Sequence, residues 1–227
     1  MKMRFRQGQL AIMGCLAIVI SPLVLLSANM AHGVRFLNSI SESAAIAGGT
    51  VDILPFVLGA LAIFSFSYAK WTAYDRLDAI CTYSMAFGFT LVAMQQCASG
   101  YLQTTRVGVL GLNAAVSDTI HSIGAMLGFG SMIMWILFCF RKSDKPRKLR
   151  TPEKNRRNNI YTVLGLCMVS ALGLFVVDLV IRIPHIVFWA EFLMLVPGGL
   201  ACIVKSERCG GQLFADRKNA RQPVFSI

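Results

Sequence analysis

Polar residues divide this chain into blocks, and between them stand six nearly continuous apolar runs: Leu10–Met30, Ile53–Ala69, Ala79–Ala98, Ile120–Phe140, Ile160–Ile181 and Ile183–Val204. Each is close to the ~20 residues needed to cross a hydrocarbon core. None shows the apolar/polar alternation over about ten residues that marks a barrel strand. An apolar segment in lipid must satisfy its own backbone hydrogen bonds, so each run predicts a helix. The expected fold is an all-α polytopic membrane protein. A six-helix domain over residues 10–204 lies between an N-terminal tail, 1–9, and a C-terminal tail, 205–227.

Composition strengthens this reading. Of 227 residues, 56% are hydrophobic and 15% charged, against about a quarter charged in ordinary soluble domains. The first run follows Lys2, Arg4 and Arg6, as the core of a signal peptide would. It is longer than such a core, which spans about 7–15 residues, and no small-x-small site follows it cleanly, so it is expected to remain as the first span.

Charge sets the orientation. With the N-terminus inside, 19 of the 22 lysines and arginines fall on the inner side, leaving Arg35, Arg106 and Arg182 outside. The positive-inside rule therefore puts both termini in the cytoplasm. The net charge of +11 is explained without nucleic acid, and no nucleic-acid-binding motif surrounds the charges. Nine basic residues against Asp144 and Glu153 make the loop at residues 141–159 the most polar stretch. Its simplest role is to fix topology as a flexible linker; a contact with anionic inner-leaflet lipid is the alternative partner, each basic residue near the surface contributing about 1 kcal/mol. Seven cysteines offer no pair suited to an oxidising compartment, only Cys97 lying near an outer edge. Small residues within the spans, Gly124, Ala125, Gly128 and Gly130 in the fourth and Ala171 and Gly173 in the fifth, permit close helix approach.

The rare polar residues cluster by depth. The topology brings His32, His121 and His185 to the extracytoplasmic edge, with Arg35, Glu42, Asp118, Asp178, Arg182 and Glu191 at similar depth. Asp118 and His121 are three residues apart and Asp178 and Arg182 four, spacings that share a helix face. Pro184, suited to a first helical position, opens the last span. Glu191 then lies about 10 Å along that helix, where a carboxylate must face the bundle interior and find a partner, such as Arg182 or His121. Glu42, Asp118, His121, Asp178, Arg182, His185 and Glu191 thus form a candidate polar pocket, with a structural clasp that fixes helix register as the alternative.

Three segments resemble a known family. Ser39-Ile40-Ser41-Glu42 is similar to the first extracytoplasmic loop of the Frag/DRAM/Sfk family and its bacterial relatives. Asp118-Thr119-Ile120-His121-Ser122-Ile123-Gly124-Ala125 with Phe129 resembles its D-x-x-H-x-x-G-A-x-x-x-F helix start, and Trp189-Ala190-Glu191-Phe192 its terminal helix. The resemblance implies six spans and a role in membrane lipid organisation or sensing, or in regulating trafficking.

Three function classes follow. The first is a non-enzymatic protein that binds or organises membrane lipid through the outer polar pocket, with no cofactor. The second is a metal-dependent intramembrane lipid hydrolase drawing on His32, His121, His185, Asp118 and Ser117, although no closely spaced ligand pair concentrates a metal site. The third is a small-molecule transporter or haem-bearing carrier, opposed by the scarcity of polar groups in the inner halves of the spans, Gln95 and Gln96 lying near the outer end of the third. The expected location is the plasma membrane or bacterial inner membrane, or an endomembrane in a eukaryotic host.

Overall fold

The computed structural model describes residues 2–32, 37–41, 53–95, 106–143, 151–181 and 183–206. Helices α1 (Lys2–His32), α2 (Ile53–Trp71), α3 (Arg76–Met94), α4 (Ala114–Met134), α5 (Pro152–Ile181) and α6 (Ile186–Ser206) follow one another, and a π-helical turn, Trp135–Cys139, extends α4. All six are long and apolar enough to cross a membrane. The outward faces agree, with Phe56, Ile63 and Val180 being 77%, 70% and 80% exposed, as lipid-facing side chains must be.

Helix ends depart from the hydrophobic runs where polar residues cap or tie them. α1 begins at Lys2, within the expected tail, because its first turns are held to α2: the Arg6 Nε donates to the Tyr68 hydroxyl at 2.8 Å and the Gln9 Nε2 to the Ser67 hydroxyl at 2.8 Å. α4 begins at Ala114 rather than Ile120, because the Asn113 side chain accepts from the Val116 amide at 2.9 Å, an N-cap bond. α5 begins at Pro152, so the second half of the basic stretch is helix and not loop. Thr151 caps it, accepting from the Lys154 amide at 3.3 Å, and Pro152 takes the first helical position, where its missing N–H costs nothing. α3 ends at Met94 rather than Ala98, and α6 begins at Ile186 rather than Ile183. The second shift follows from His185, whose φ of 62° is left-handed and cannot continue a helix.

A small antiparallel ribbon, unexpected from the sequence, joins α3 to α4. Strand β1 (Arg106–Val107) pairs with β2 (Leu112–Asn113), Arg106 opposite Asn113 and Val107 opposite Leu112. Gly108 turns the chain at φ 73°, and a Cβ there would come within 2.4 Å of the Gln95 Oε1. The ribbon docks on the end of α3, where the Val109 amide donates to the Met94 carbonyl at 2.8 Å.

Across the bundle the helices run α4, α3, α2, α1, α6, α5, so the last hairpin packs on the first helix. Small residues set two of these crossings. A Cβ on Gly14 would lie 2.6 Å from the Gly199 carbonyl oxygen, and one on Gly88 2.4 Å from the Gly128 amide. α1 therefore meets α6, and α3 meets α4, backbone to backbone, the close approach that small residues four apart allow in lipid. Gly124 and Gly128 sit at such a contact, whereas Gly130 and Gly173 face open space.

Arg6, near the start of the chain, and Lys205, near the end of α6, line one cavity, so the two ends of the bundle lie on one side. By the positive-inside rule that side is expected to face the cytoplasm. Cysteines placed at Asn38 and Val109, both exposed, should react with a membrane-impermeant thiol reagent on intact cells above the parent background. One at Ser143 should react only after permeabilisation. Labelling of Ser143→Cys from outside would reverse the orientation.

Candidate functional site

Of the residues expected to form one outer pocket, Glu191, His185 and His121 take part in two hydrogen-bonded clasps. In the first, Glu191, buried in the second turn of α6, faces the segment 37–41 that follows α1. Its carboxylate accepts from the Ile40 amide at 2.5 Å, the Ser41 hydroxyl at 2.7 Å and the Ser41 amide at 3.4 Å. The His185 Nδ1 donates to the Leu37 carbonyl at 3.0 Å and the Phe188 amide to the Asn38 carbonyl at 2.8 Å. Five bonds thus fasten an irregular segment to the start of α6. In the second clasp, the His121 Nδ1 donates to the Gln95 carbonyl at 2.8 Å, and the Ser117 hydroxyl donates to the Gln95 Oε1 at 3.0 Å. These close the outer end of α3 against α4. Non-helical backbone at the edge of a membrane is stable only when its polar groups are met in this way.

Two other members lie on the outer parts of α4 and α5, and the rest lie outside the described residues. Asp118 is half-buried one turn before His121, and Asp178 half-buried on the outer part of α5. Glu42 and Arg182 lie outside the described residues, as does the side chain of His32. Beside Glu191 a cavity of about 10 Å³ is lined by Ser41, Val92, Ala125 and Phe129, room for one water at most. Among the described residues, no three histidine, cysteine, aspartate or glutamate side chains come together as a metal site.

The cytoplasmic end contains a hub that the sequence reading missed. Asp78, 2% exposed on the first turn of α3, accepts from the Trp135 indole N–H, from the Tyr74 amide at 2.7 Å and from the Tyr68 hydroxyl at 3.2 Å. The Arg6 guanidinium pairs with it at 3.4 Å. One carboxylate therefore ties α1, α2, α3 and the π-helical turn of α4. The extra residue in that turn re-aims side chains locally, and Trp135 is the one that reaches Asp78. The available signal was Asp78 itself, an acidic residue on the basic side beside an apolar run.

Next to the hub, Lys142 donates to Asp75, the N-cap of α3, at 2.5 Å. That bond holds the Asp75 carboxyl below its ordinary range and the Lys142 ammonium above its own. Asp75 then adds stability above its unfolded pKa, about 4, and loses it as pH falls through the lower folded value. Lys142 adds stability below about 10.4 and loses it as pH rises through its higher folded value. Both side chains are about a third exposed, so screening limits the pair to about 0.2–1 kcal/mol.

A larger concavity than that beside Glu191 is of another kind. A groove of about 740 Å³ runs along the lipid-facing side of α2 and α3, from Lys70 and Trp71 at the cytoplasmic end past Gly59 and Phe66 to Met94 at the other. Its walls are mostly apolar, with Ser67, Tyr83 and Thr90 among them, and a Cβ on Gly59 would meet nothing within 4 Å. At the cytoplasmic mouth the Lys70 ammonium lies 4.9 Å from the centre of the Trp71 ring.

No family model, curated protein or solved structure matches this chain.

Asp78 and Glu191 should dominate stability. Replacing Glu191 with Ala strands the donors of Ile40 and Ser41, at about 1–3 kcal/mol for each buried group left unmet, and should lower the melting temperature in detergent markedly. Glu191→Gln, which keeps an acceptor oxygen, should cost less than half as much. Asp78→Ala, which leaves Arg6, Tyr68 and Trp135 facing one another, should cost about 3–5 kcal/mol. Lys142→Ala should cost less than about 1 kcal/mol at neutral pH and nothing measurable in strong acid or high salt. Equal melting temperatures for Glu191→Ala and the parent would contradict the clasp.

Proposed function

We propose that this protein is a non-enzymatic membrane protein that binds or organises membrane lipid. The carrying observation is the groove on α2 and α3. Its volume falls in the 300–1,000 Å³ range of ordinary ligand sites. Its walls are apolar along most of a membrane thickness, and it opens towards the bilayer. An acyl chain is the ligand with that shape and chemistry. Lys70 stands where the headgroup of an inner-leaflet lipid would lie, and a lysine there attracts the phosphate of that lipid.

In this reading the outer polar residues have a supporting role. Glu191, His185, His121 and Ser117 hold the outer ends of the helices, and the small cavity beside Glu191 leaves little room for a ligand. The resemblance of three segments to the Frag/DRAM/Sfk family implies a role of the same kind, in lipid organisation or sensing. Hydrolysis and transport are less well supported, because Glu191, His185, His121 and Ser117 are engaged with backbone and neighbouring side chains.

Gly59→Phe tests the reading. The site has open space, and the substitution removes a glycine from a helix interior at a gain of up to about 1 kcal/mol, so the variant should fold and melt at or above the parent temperature. Mass spectrometry of lipid retained after detergent purification should show severalfold less on Gly59→Phe than on the parent. Lys70→Ala should lower retention of anionic lipid more than of zwitterionic lipid. Equal lipid content in the parent and Gly59→Phe would refute the groove as a lipid site.

A further inference from the structure

A second cavity, of about 200 Å³, opens at the cytoplasmic end and is lined by Arg6, Gln7, Leu10, Lys154, Arg157, Tyr161 and Lys205. We propose that it is a binding site for a phosphate group, carried by an anionic lipid headgroup or free in solution. This site is separate from the groove and does not depend on that reading.

Three elements distant in sequence bring the cations together: α1 gives Arg6, the first two turns of α5 give Lys154 and Arg157, and the last turn of α6 gives Lys205. Among the described residues the lining contains two arginines, two lysines and no carboxylate. These charges act on one another: Lys205 feels those of Lys154, Arg6 and Arg157, opposed by that of Asp78. Asp78 is already surrounded by the donors of the hub. Arg157 is 9% exposed. Partly buried like charges repel strongly in a medium of lower dielectric than water, and an anion in their midst converts that repulsion into attraction.

The cations are also positioned. The carbonyl of Phe140, just past the π-helical turn, accepts from the Lys205 ammonium at 3.1 Å and the Lys154 ammonium at 3.4 Å. Lys205 lies over the rings of Phe140 and Tyr161, 5.3 Å and 6.0 Å from their centres. Both lysines are thus held at one side of the cavity before any ligand arrives. Two arginines complete a donor set suited to phosphate, since a guanidinium presents paired N–H groups to two phosphate oxygens. The start of α5 adds the positive end of a helix dipole.

Size narrows the ligand. The cavity is smaller than the 300–1,000 Å³ of drug-sized sites, which suits a phosphate with its first ester carbons better than a nucleotide or a larger metabolite. Its position suits a headgroup, because the charge division puts this end at the cytoplasmic leaflet. Lys154 and Arg157 belong to the stretch 141–159, whose basic residues are thereby given a specific task beyond fixing topology.

The test uses the full chain, reconstituted in nanodiscs of phosphatidylcholine alone or of phosphatidylcholine with phosphatidic acid. Thermal unfolding is followed with and without added inorganic phosphate. Phosphatidic acid should raise the melting temperature of the parent, and Arg157→Gln should weaken the underlying affinity by about tenfold or more, the scale of a lost charge-assisted contact. A shift with phosphatidic acid identifies a lipid headgroup, and one with inorganic phosphate in phosphatidylcholine discs identifies a soluble anion. A second measurement needs no variant: the effective anion should slow acylation of Lys154 by an amine-reactive reagent, while leaving Lys70 at the groove unchanged. If Arg157→Gln fails to fold, Lys154 protection in the parent decides alone. Absence of protection at Lys154, or equal shifts in the parent and a folded Arg157→Gln, would overturn the site. Since Gly59→Phe alters only the groove, it should leave the phosphate response intact, so the two sites can fail separately.

Discussion

A carboxylate inside a membrane must be surrounded by donors, and this bundle is organised around two that are. Asp78 and Glu191 stand at opposite ends of the bundle, each near the start of its helix, and each gathers bonds from segments far away in the chain. Neither could be buried alone, because an ionised carboxyl in low dielectric costs several kcal/mol unless it is paired and hydrogen-bonded. Each therefore dictates what packs against it. Asp78 brings Arg6, Tyr68, Tyr74 and Trp135 together, and Glu191 orders the irregular segment after α1. Apolar packing supplies most of the contact area between helices, but lipid tails are as apolar as leucine and do not discriminate one packing from another. The polar clasps and the glycine crossings provide that discrimination.

This division of labour separates the two ends. At the outer end, bonds join helix ends to the short segments beside them: Glu191 to Ile40 and Ser41, His185 to Leu37, and His121 and Ser117 to Gln95. They finish helices and hold a ribbon and a short segment in place. At the cytoplasmic end the hub abuts a cavity rich in cations, with Arg6 shared by both. A ligand there would act on the residue that links α1 to the hub, so occupancy and the packing of the first helix are coupled through one side chain. The apolar groove lies along α2 and α3, and Ser67, which lines it, and its neighbour Tyr68 accept from Gln9 and Arg6 of α1.

Much of the fold was legible because lipid imposes a single simple rule on composition. Six apolar runs gave six helices. The ends were less legible, since they depend on a few capping atoms. Thr151-Pro152 carried the signal for the start of α5, a capping residue followed by proline, but the surrounding basic residues read as loop. The left-handed His185 and the ribbon of Arg106–Asn113 arise from turn geometry that hydropathy does not register. For the site, Glu191 and His121 were recognisable as buried polar residues, yet their partners were not: Glu191 bonds mainly to backbone amides and a serine, which leave no charge pattern in a sequence. Asp78 was overlooked because its charge lies on the inner side beside Asp75 and Arg76, where a solvated loop residue is the ordinary case. The π-helical turn that delivers Trp135 to it has no sequence signature.

The central claim is that Glu191 orders the segment 37–41 from within the bundle, and amide hydrogen exchange at single-residue resolution tests it most directly. The Ile40 amide, bonded to the carboxylate at 2.5 Å, should exchange slowly in the parent protein despite lying outside any helix. In Glu191→Ala it should exchange much faster, while amides around Asp78 keep their protection. Rapid exchange at Ile40 in the parent, or protection unchanged by the substitution, would contradict the account.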